Sequence, residues 1–164
     1  MIRLSKLADY GIVLLSYFVR DTHAVRTARD LASASRLPLP TVSKILKALS
    51  RGGLLVSHRG VKGGYSLARP ADDISVVEVI RAIDGPIALT ECSHTAPGLC
   101  DLEIACPVRS NWQKINDVVV RALADLSLVD MTLPAPPAPS QQQSEPLLYP
   151  LRLVRPRGQK GDIP

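Results

Sequence analysis

The sequence lacks a long hydrophobic run and any motif for export. Its longest apolar stretch, residues 11–19, is interrupted by Ser16 and is too short to cross a bilayer. Asp9 breaks the first apolar segment and no small-residue cleavage site follows, so a secretion signal is not expected. We therefore predict a cytoplasmic protein without a membrane partner, in a compartment where thiols stay reduced.

Motifs of common enzymes are also missing. The sequence contains neither a Gly-rich phosphate loop nor an HExxH pattern. A nucleophilic cysteine would need a nearby base and a residue that orients this base. The histidines that could serve are few: His23, His58 and His94. The sequence therefore favours a binding protein over an enzyme.

Charge is distributed unevenly along the chain, whose net charge is +5. Residues 1–70 carry twelve Lys and Arg residues against three Asp, whereas residues 71–133 carry four basic residues against ten acidic ones. A basic first half joined to an acidic second half predicts a head that binds a polyanion and a body with another task. Chance clustering is the alternative that charge alone leaves open.

Three amphipathic helices are predicted in the basic half, each with apolar residues spaced by three and four. The first covers about residues 4–20, and the second covers residues 27–35 with Thr27 as its N-cap. The third begins at Pro40, where the missing N–H costs nothing, and ends at Gly52. Two short helices joined by a tight turn, the second with a polar and basic outer face, predict a helix-turn-helix.

A β-hairpin is predicted directly after the third helix. Its strands are residues 54–59 and 65–69, and the turn between them, residues 60–64, holds three glycines. A hairpin at this position is typical of the wing of a winged helix. An ordinary solvated hairpin tip would give the same local pattern.

The outer face of the third helix and the hairpin tip supply the candidate DNA contacts. Small polar and basic side chains on the helix could reach base edges in the major groove and phosphates. Arg59 beside the glycines suits a narrow, strongly negative minor groove, and the glycines let the backbone approach closely. The predicted DNA-binding residues are Pro40, Thr41, Ser43, Lys44, Lys47, Arg59, Lys62, Gly63 and Gly64.

The acidic half is predicted to hold a fourth helix, a cysteine loop and a long last helix. Ser75 and Glu78 form a capping box at the start of the fourth helix, and Gly85 ends it. Pro107 opens the last helix, whose apolar stripe is longer than one small domain can cover. We expect a dimer interface there, with packing inside one chain as the alternative. The stripe consists of Trp112, Ile115, Val119, Leu123 and Leu126.

These elements predict a mostly α fold with a small β-hairpin wing, in which a winged helix-turn-helix is followed by a long dimerisation helix. The final segment holds eight of the fourteen prolines and a Gln run, which indicate disorder. The predicted parts are a winged-helix DNA-binding domain at residues 1–84, a cysteine-bearing loop at 85–108, a dimerisation helix at 109–133 and a disordered tail at 134–164.

All three cysteines, Cys92, Cys100 and Cys106, lie in one irregular loop. Three thiolates in such a loop suit a soft metal or an iron–sulfur cluster. Zinc is an alternative, although the paired CxxC spacing of structural zinc sites is absent. A metal-free thiol switch, in which two of the cysteines form a disulfide, also remains open.

Several motifs resemble the Rrf2 family of bacterial transcription regulators. They are SKLADYG near the start, LPTVSKILKALSRGGLLVSHRGVKGGYSLARP in the middle, and the later phrases GPIALTECS and CPVRSNW. The similarity covers about residues 1–132 and, within the family, is greatest to regulators of the SUF operon for iron–sulfur cluster assembly, with IscR and NsrR as relatives. The resemblance implies a homodimeric winged-helix repressor that binds palindromic promoter DNA and senses cluster supply, iron, nitric oxide or oxidants.

The resemblance also implies the ligands of an iron–sulfur cluster, with 2Fe–2S favoured and 4Fe–4S as the other type. IscR-like members place a histidine three residues after the last cysteine, where this chain has Arg109, which cannot ligate. Some NsrR-like members use an aspartate of the first helix, and Asp9 matches that position, although a solvated helix carboxylate would look the same. His94 is a third candidate. The implied cysteine ligands are Cys92, Cys100 and Cys106.

Overall fold

The computed structural model of the chain describes residues 4–19, 21, 24–60, 63–94, 100–102 and 104–133. These residues form five α-helices, a two-stranded antiparallel hairpin and three short 3₁₀ turns. In chain order the elements are α1 (Lys6–Val19), α2 (Ala28–Ser35), α3 (Leu39–Arg51), β1 (Leu55–His58), β2 (Gly64–Leu67), α4 (Val76–Asp84) and α5 (Arg109–Ala124), with turns at Ala71–Asp73, Glu91–Ser93 and Asp130–Thr132. The predicted fold class, mostly α with a small hairpin, is confirmed.

The helix-turn-helix begins at a capped N-terminus, as predicted. The Thr27 hydroxyl accepts a hydrogen bond from the Asp30 N–H at 3.1 Å, and the Asp30 carboxylate accepts one from the Thr27 N–H at 3.3 Å. This reciprocal box satisfies backbone donors that have no partner inside α2. Arg36, at a left-handed φ of 57°, ends α2. Helix α3 starts at Leu39, one residue earlier than predicted, so Pro40 lies second in its first turn.

The main core lies where α1, α2 and α3 meet. The predicted apolar face of α3 is buried, since Val42, Ile45, Leu46 and Leu49 are each at most 1% exposed. This face packs against the buried residues of α1 and against Leu31 of α2. Full burial of each Leu or Ile side chain contributes about 1.5–3 kcal/mol. The same burial that fixes α3 in the fold therefore leaves its polar and basic face directed outward.

The hairpin is joined to the segment that precedes α2. Strands β1 and β2 pair with Leu55 opposite Leu67 and His58 opposite Gly64. On the other side of β2, the N–H and the carbonyl of Tyr65 each form a 2.9 Å hydrogen bond with the backbone of Arg26. This bridge has no signal in the sequence pattern, and it ties the outer strand of the hairpin to the start of the helix-turn-helix.

The start of α4 is capped as predicted and is also tied to the base of the hairpin. The Glu78 carboxylate accepts hydrogen bonds from the N–H and the hydroxyl of Ser75, both at 2.9 Å. The same carboxylate forms an ion pair with the guanidinium of Arg69, two residues after β2. At the other end of α4, the Asp84 carboxylate accepts a hydrogen bond from the Ser5 hydroxyl at 2.8 Å. Helix α4 is therefore connected to both the hairpin and the beginning of α1.

Helix α5 is shorter than the helix predicted for residues 109–133, because it ends at Ala124. It begins at Arg109, so Pro107 precedes the helix by two residues instead of opening it. The chain then turns back, and Leu126, predicted as the last member of the helical stripe, lies beyond the helix end.

The segment after α5 completes the core of the head. The Leu126 carbonyl accepts a hydrogen bond from the Val76 N–H at 2.9 Å, and the Leu128 N–H donates one to the Ile74 carbonyl at 2.7 Å. The Leu128 side chain is 1% exposed and belongs to the main core. Leu128, which lies well beyond residue 84, thus packs in the same core as α1, α2 and α3.

Two predictions concern residues outside the described part of the chain, namely the disordered tail at 134–164 and the DNA contact at Lys62. Within the described part, no helix combines the length and the apolar character that crossing a membrane requires.

Candidate nucleic-acid interface and cysteine loop

The outer face of α3 presents the predicted contact residues to different degrees. Pro40, Lys44 and Lys47 are exposed, whereas Thr41 and Ser43 are half-buried. One face of α3 is exposed because the opposite face, which carries the apolar stripe, is buried against α1 and α2. Lysine side chains can extend beyond the half-buried hydroxyls, so the basic groups are the outermost part of this face.

A groove between α3 and the hairpin gathers part of this face into one site. Its volume is about 460 Å³. Every described residue that lines it carries a cation or a hydroxyl group, and none of these residues carries a carboxylate. Cations and hydroxyl donors are the groups that proteins use to bind phosphate oxygens of a nucleic acid. The lining residues are Lys44, Lys47, Ser50, Arg51, Ser57 and Tyr65.

Four residues of this groove are absent from the predicted DNA-binding set, namely Ser50, Arg51, Ser57 and Tyr65. Arg51 has a sequence signal, because it follows Lys47 by four residues and so lies on the same side of the helix. Ser57 and Tyr65 come from opposite strands and face each other in the register of β1 and β2. These two residues line the groove only because the hairpin packs beside α3, and a local sequence pattern does not reveal that packing.

Ser43 lies in a different hollow from Lys44 and Lys47. This second hollow, of about 580 Å³, is located where the N-termini of α2 and α3 come together and is lined by Ser43, Leu39, Arg29 and the residues of the α2 cap. Ser43 and the two lysines of α3 therefore lie in two neighbouring patches. One is basic and extends to the hairpin, and the other combines Ser43 with the exposed Arg29.

The hairpin tip exposes Arg59 and is shaped by glycine. Gly60 has a φ of +109°, which favours glycine, and its carbonyl accepts a hydrogen bond from the Gly63 N–H at 2.9 Å. A Cβ at Gly63 would lie 2.6 Å from the His58 carbonyl oxygen. A Cβ at Gly64 would lie 2.7 Å from the carbonyl oxygen of Arg26. The structure thus gives Gly63 and Gly64 a role in closing the turn and in the Arg26 bridge, while their contact with DNA stays a prediction.

The basic groups of this surface are not neutralised by nearby acids. Within the described residues, Lys44, Lys47, Arg51 and Arg59 form no ion pair with a carboxylate. The ion pair that the structure does show joins Arg69 to Glu78, away from the groove. The positive charge of the groove and the tip is therefore directed toward solvent, where it can attract a polyanion.

The three thiols of the cysteine loop are free and differ in exposure. Cys92 lies in the turn Glu91–Ser93 and is 8% exposed, whereas Cys100 and Cys106 are half-buried. The Thr90 hydroxyl lies 3.2 Å from the Cys92 sulfur and 2.7 Å from the Ser93 hydroxyl. Cys92 therefore has a fixed polar environment, and the other two thiols are more accessible.

The predicted ligands do not form one compact donor group within a single chain. Among the described residues, no cluster of three or more His, Cys, Asp or Glu side chains is close enough to hold a metal ion. Asp9 is exposed on α1, His94 is half-buried just after the Cys92 turn, and Arg109 opens α5. The donor chemistry still fits an iron–sulfur cluster, because three unbridged thiols share one loop.

Helix α5 leaves much of its predicted apolar stripe uncovered. Within the stripe, Trp112 and Ile115 are 39% and 47% exposed, and Val119 and Leu123 are half-buried. Val118, which lies beside the stripe, is 61% exposed. Packing inside one chain, the alternative left open by the sequence, thus accounts for only part of the stripe.

A protein-family model matches most of the chain. The model of the Rrf2 family, described as an iron-dependent transcriptional regulator, matches residues 4–133. A helix-turn-helix transcriptional regulator of Rhodobacter capsulatus, described as rrf2-like, is 35% identical over 123 residues, which cover 73% of this chain and 82% of that protein.

Two solved structures share the fold. CymR, the global cysteine regulator of B. subtilis, superposes with a TM-score of 0.62 at 23% identity, covering 80% of this chain and 97% of CymR. IscR of T. potens superposes with a TM-score of 0.59 at 24% identity, covering 79% of this chain and 85% of IscR. At these identities the two structures establish the winged-helix architecture of the chain.

Proposed function

This chain belongs to the Rrf2 family of transcription regulators, and from that premise we propose that it is a cytoplasmic, homodimeric repressor that binds palindromic promoter DNA. Its relatives are regulators and not enzymes, in agreement with the absence of catalytic motifs from the sequence. The observation that carries the proposal is the groove between α3 and the hairpin, which combines three cations with three hydroxyl groups.

In this proposal α3 lies in the major groove, and Arg59 reaches the adjacent minor groove. This placement is supported by the order of the exposed groups on the protein surface. The basic face of α3 continues into the protein groove beside it, and that protein groove leads to the hairpin. The residues that line the protein groove would bind the phosphate backbone between the major and minor grooves of the DNA. Two heads in a symmetric dimer would bind half-sites about one helical turn apart.

We further propose that the regulated genes are those of iron–sulfur cluster assembly by the SUF system, and that the cysteine loop binds an iron–sulfur cluster. The family description as iron-dependent and the three free thiols support this proposal. Cys92, Cys100 and Cys106 would be protein ligands, and 2Fe–2S is the favoured type. Bound there, the cluster would provide a centre whose loss or oxidation reports on iron, cluster supply or oxidants.

Asp9 is the proposed fourth ligand, because Arg109 occupies the place of the IscR-type histidine. Asp9 is exposed, so its carboxylate is accessible to the cysteine loop of a partner subunit. A site closed by α1 would act directly on the DNA-binding head, since α1 packs against α3 in the main core.

The effect on DNA follows from linkage. A ligand changes the affinity for DNA only by its differential affinity for the two conformations of the protein. The loop that holds Cys92 follows α4 and packs on α5, so a change at the thiols reaches both helices.

Duplex binding by Arg59 variants tests the DNA part of the proposal. Arg59→Ala should weaken binding to a palindromic promoter fragment by about 1–3 kcal/mol, because a cation in the minor groove is lost. Affinity of the unaltered protein should also fall steeply as salt rises. Arg81→Ala, which removes an exposed cation of α4, is the matched control and should bind normally. Equal affinities for both variants, or binding that ignores salt, would exclude this interface.

Anaerobic purification tests the cofactor part. We expect a coloured protein with near-stoichiometric iron and sulfide, and loss of the absorption bands after replacement of any one of the three cysteines by Ala. Asp9→Ala should change the spectrum if Asp9 is a ligand, while Asp72→Ala, another exposed aspartate of the head, should not. A colourless protein that contains zinc would exclude the cluster.

The second candidate function is that of a metal-free thiol-based or a nitric-oxide-responsive repressor of the same family, and the metal-free thiol switch is the version with structural support. It is favoured by one observation, namely that the described residues form no compact metal-binding group while Cys100 and Cys106 are both free and half-buried. In that case the purified protein would contain no metal, and a disulfide formed by mild oxidation would change its affinity for DNA.

A further inference from the structure

Asn116 is the buried polar side chain of the described part of the chain. It is 7% exposed, although it lies on α5, where most residues are exposed. Burial of a side-chain amide costs free energy unless its donor and its acceptor both have partners. The reason for an amide at this position must therefore lie in the groups that it bonds.

Both polar atoms of Asn116 bond to the backbone of the segment between α4 and Cys92. The Asn116 Oδ1 accepts a hydrogen bond from the Leu89 N–H at 3.0 Å, and its Nδ2 donates one to the Ile87 carbonyl at 3.2 Å. The two bonded residues are two positions apart, as are the residues that a neighbouring β-strand would bond. Only an amide side chain supplies a donor and an acceptor in this planar arrangement, so Asp or Leu could not replace it.

The segment that Asn116 holds has no regular structure of its own. Residues 85–90 form neither a helix nor a strand, so their backbone groups depend on partners from elsewhere. The Ile87 side chain also packs against the small core cluster of Ala8, Val76 and Ile80. An apolar contact and two hydrogen bonds therefore fix the chain three to five residues before Cys92.

Cys92 lies at the end of this fixed segment. It is 8% exposed, and its turn, Glu91–Ser93, packs on α5. Beyond the C-terminal end of α5, the backbone of Leu126 and Leu128 is bonded to the chain at the start of α4. The α5 region is thus hydrogen-bonded to the chain around α4 both at Asn116 and just after its last turn.

We propose that Asn116 is the positioning residue of the Cys92 thiol and that it transmits changes at Cys92 to α5. Its two hydrogen bonds hold the Cys92 segment on α5, so a displacement of that segment moves α5 relative to α4. The positioning role stands on the contacts above, whereas the transmission rests on the proposed sensor function.

Alkylation of the reduced, metal-free protein tests the positioning role. We expect N-ethylmaleimide to modify Cys92 about tenfold faster in Asn116→Leu than in the unaltered protein, because two hydrogen bonds that resist local opening are lost. Cys100 and Cys106 should react at unchanged rates, as measured by mass spectrometry of each cysteine peptide. Gln113→Leu makes the same chemical change at an exposed site of α5 and should leave all three rates unchanged. An unchanged Cys92 rate in Asn116→Leu would overturn the proposal.

Hydrogen exchange in the unaltered protein gives a test that does not depend on a variant that folds. The Leu89 N–H, although outside any helix or strand, should exchange as slowly as the amides in the middle of α5. Exchange at the rate of an unprotected amide would overturn the proposal, because the bond to Asn116 would then not persist.

The transmission is tested by the ratio of DNA affinities between the reduced, metal-free protein and the same protein reconstituted with iron and sulfide. We expect this ratio to be closer to one in Asn116→Leu than in the unaltered protein, whichever form binds DNA more tightly. The DNA affinity of the metal-free form should be unchanged. A ratio equal to that of the unaltered protein would exclude transmission through Asn116. A ratio of one in the unaltered protein would instead overturn the sensor function, and the alkylation result would still decide the positioning role.

Discussion

At the residue scale, Glu78 joins two parts of the fold through one carboxylate. It caps α4 by accepting hydrogen bonds from Ser75, and it pairs with Arg69 at the base of the hairpin. Burial alone would raise the pKa of Glu78, but the hydrogen bonds from Ser75 and the interactions with Arg69 outweigh burial and lower it below the ordinary value of 4.5.

We predict that Glu78→Gln destabilises the protein by about 1 kcal/mol at neutral pH, because the cap is weakened and the partly exposed ion pair is lost. Since the pKa of Glu78 is lowered by folding, its contribution is fully present above the unfolded pKa and is lost as pH falls through the folded value. The difference between the two proteins should therefore vanish in acid below that folded pKa. Urea unfolding at a series of pH values measures this difference.

Asp72→Asn provides the control for Glu78→Gln, because Asp72 is exposed in the turn that precedes α4. Its free energy of unfolding should follow that of the unaltered protein across the series. A Glu78→Gln deficit that persists unchanged in acid would show that the lost contribution is not that of the ionised carboxylate.

At the element scale, the segment after α5 is part of the DNA-binding head. Leu128→Ala should lower the free energy of unfolding by about 2–5 kcal/mol, because it opens a cavity in the main core. Leu126→Ala, at a position that is 43% exposed, should have a small effect, and its comparison with Leu128→Ala isolates the core contribution. Thermal unfolding followed by circular dichroism checks both. Equal losses of unfolding free energy in the two variants would mean that the segment after α5 does not complete the core.

The elements that the sequence predicts well are those with a strong local signal. The buried face of α3, the N-cap at Thr27 and the capping box at Ser75 depend on neighbours along the chain, and the structure confirms them. The bridge between Arg26 and Tyr65 and the burial of Leu128 depend on segments far apart in sequence. Local spacing carries no record of such contacts, so α5 was predicted to continue through residues that instead fold back on the head.

The candidate sites divide in the same way. Lys44 and Lys47 could be identified from their place opposite the apolar stripe of α3, whereas Ser57 and Tyr65 join the groove only because the hairpin packs beside that helix. The cysteines are evident from composition, but the amide that fixes the Cys92 segment lies on another element, within the apolar stripe region of α5. A polar residue in an amphipathic helix is normally assigned to solvent, so Asn116 gave no sequence signal.

At the scale of the whole molecule, the uncovered apolar face of α5 determines how the two DNA-binding heads would be held. Trp112, Ile115 and Val118 remain exposed in the single chain, and large exposed apolar surfaces usually mark interfaces. In a symmetric dimer the same face of each α5 would meet its copy. Because α5 is also attached to the start of α4, the contact between the two helices would fix the spacing of the heads.

Ile115→Asp should therefore convert the proposed dimer into a folded monomer, since a charge would be buried at the interface whereas Ile115 is 47% exposed in the single chain. Gln113→Asp introduces the same charge two residues away, about 200° around the helix, and should leave the dimer intact. Sedimentation at micromolar concentrations distinguishes the two states. The monomer should also lose affinity for a palindrome by about a hundredfold or more, because each head would bind its half-site without the other. If Ile115→Asp remained dimeric, the heads would have to be joined through another surface, and the attachment of α5 to α4 could not set their spacing.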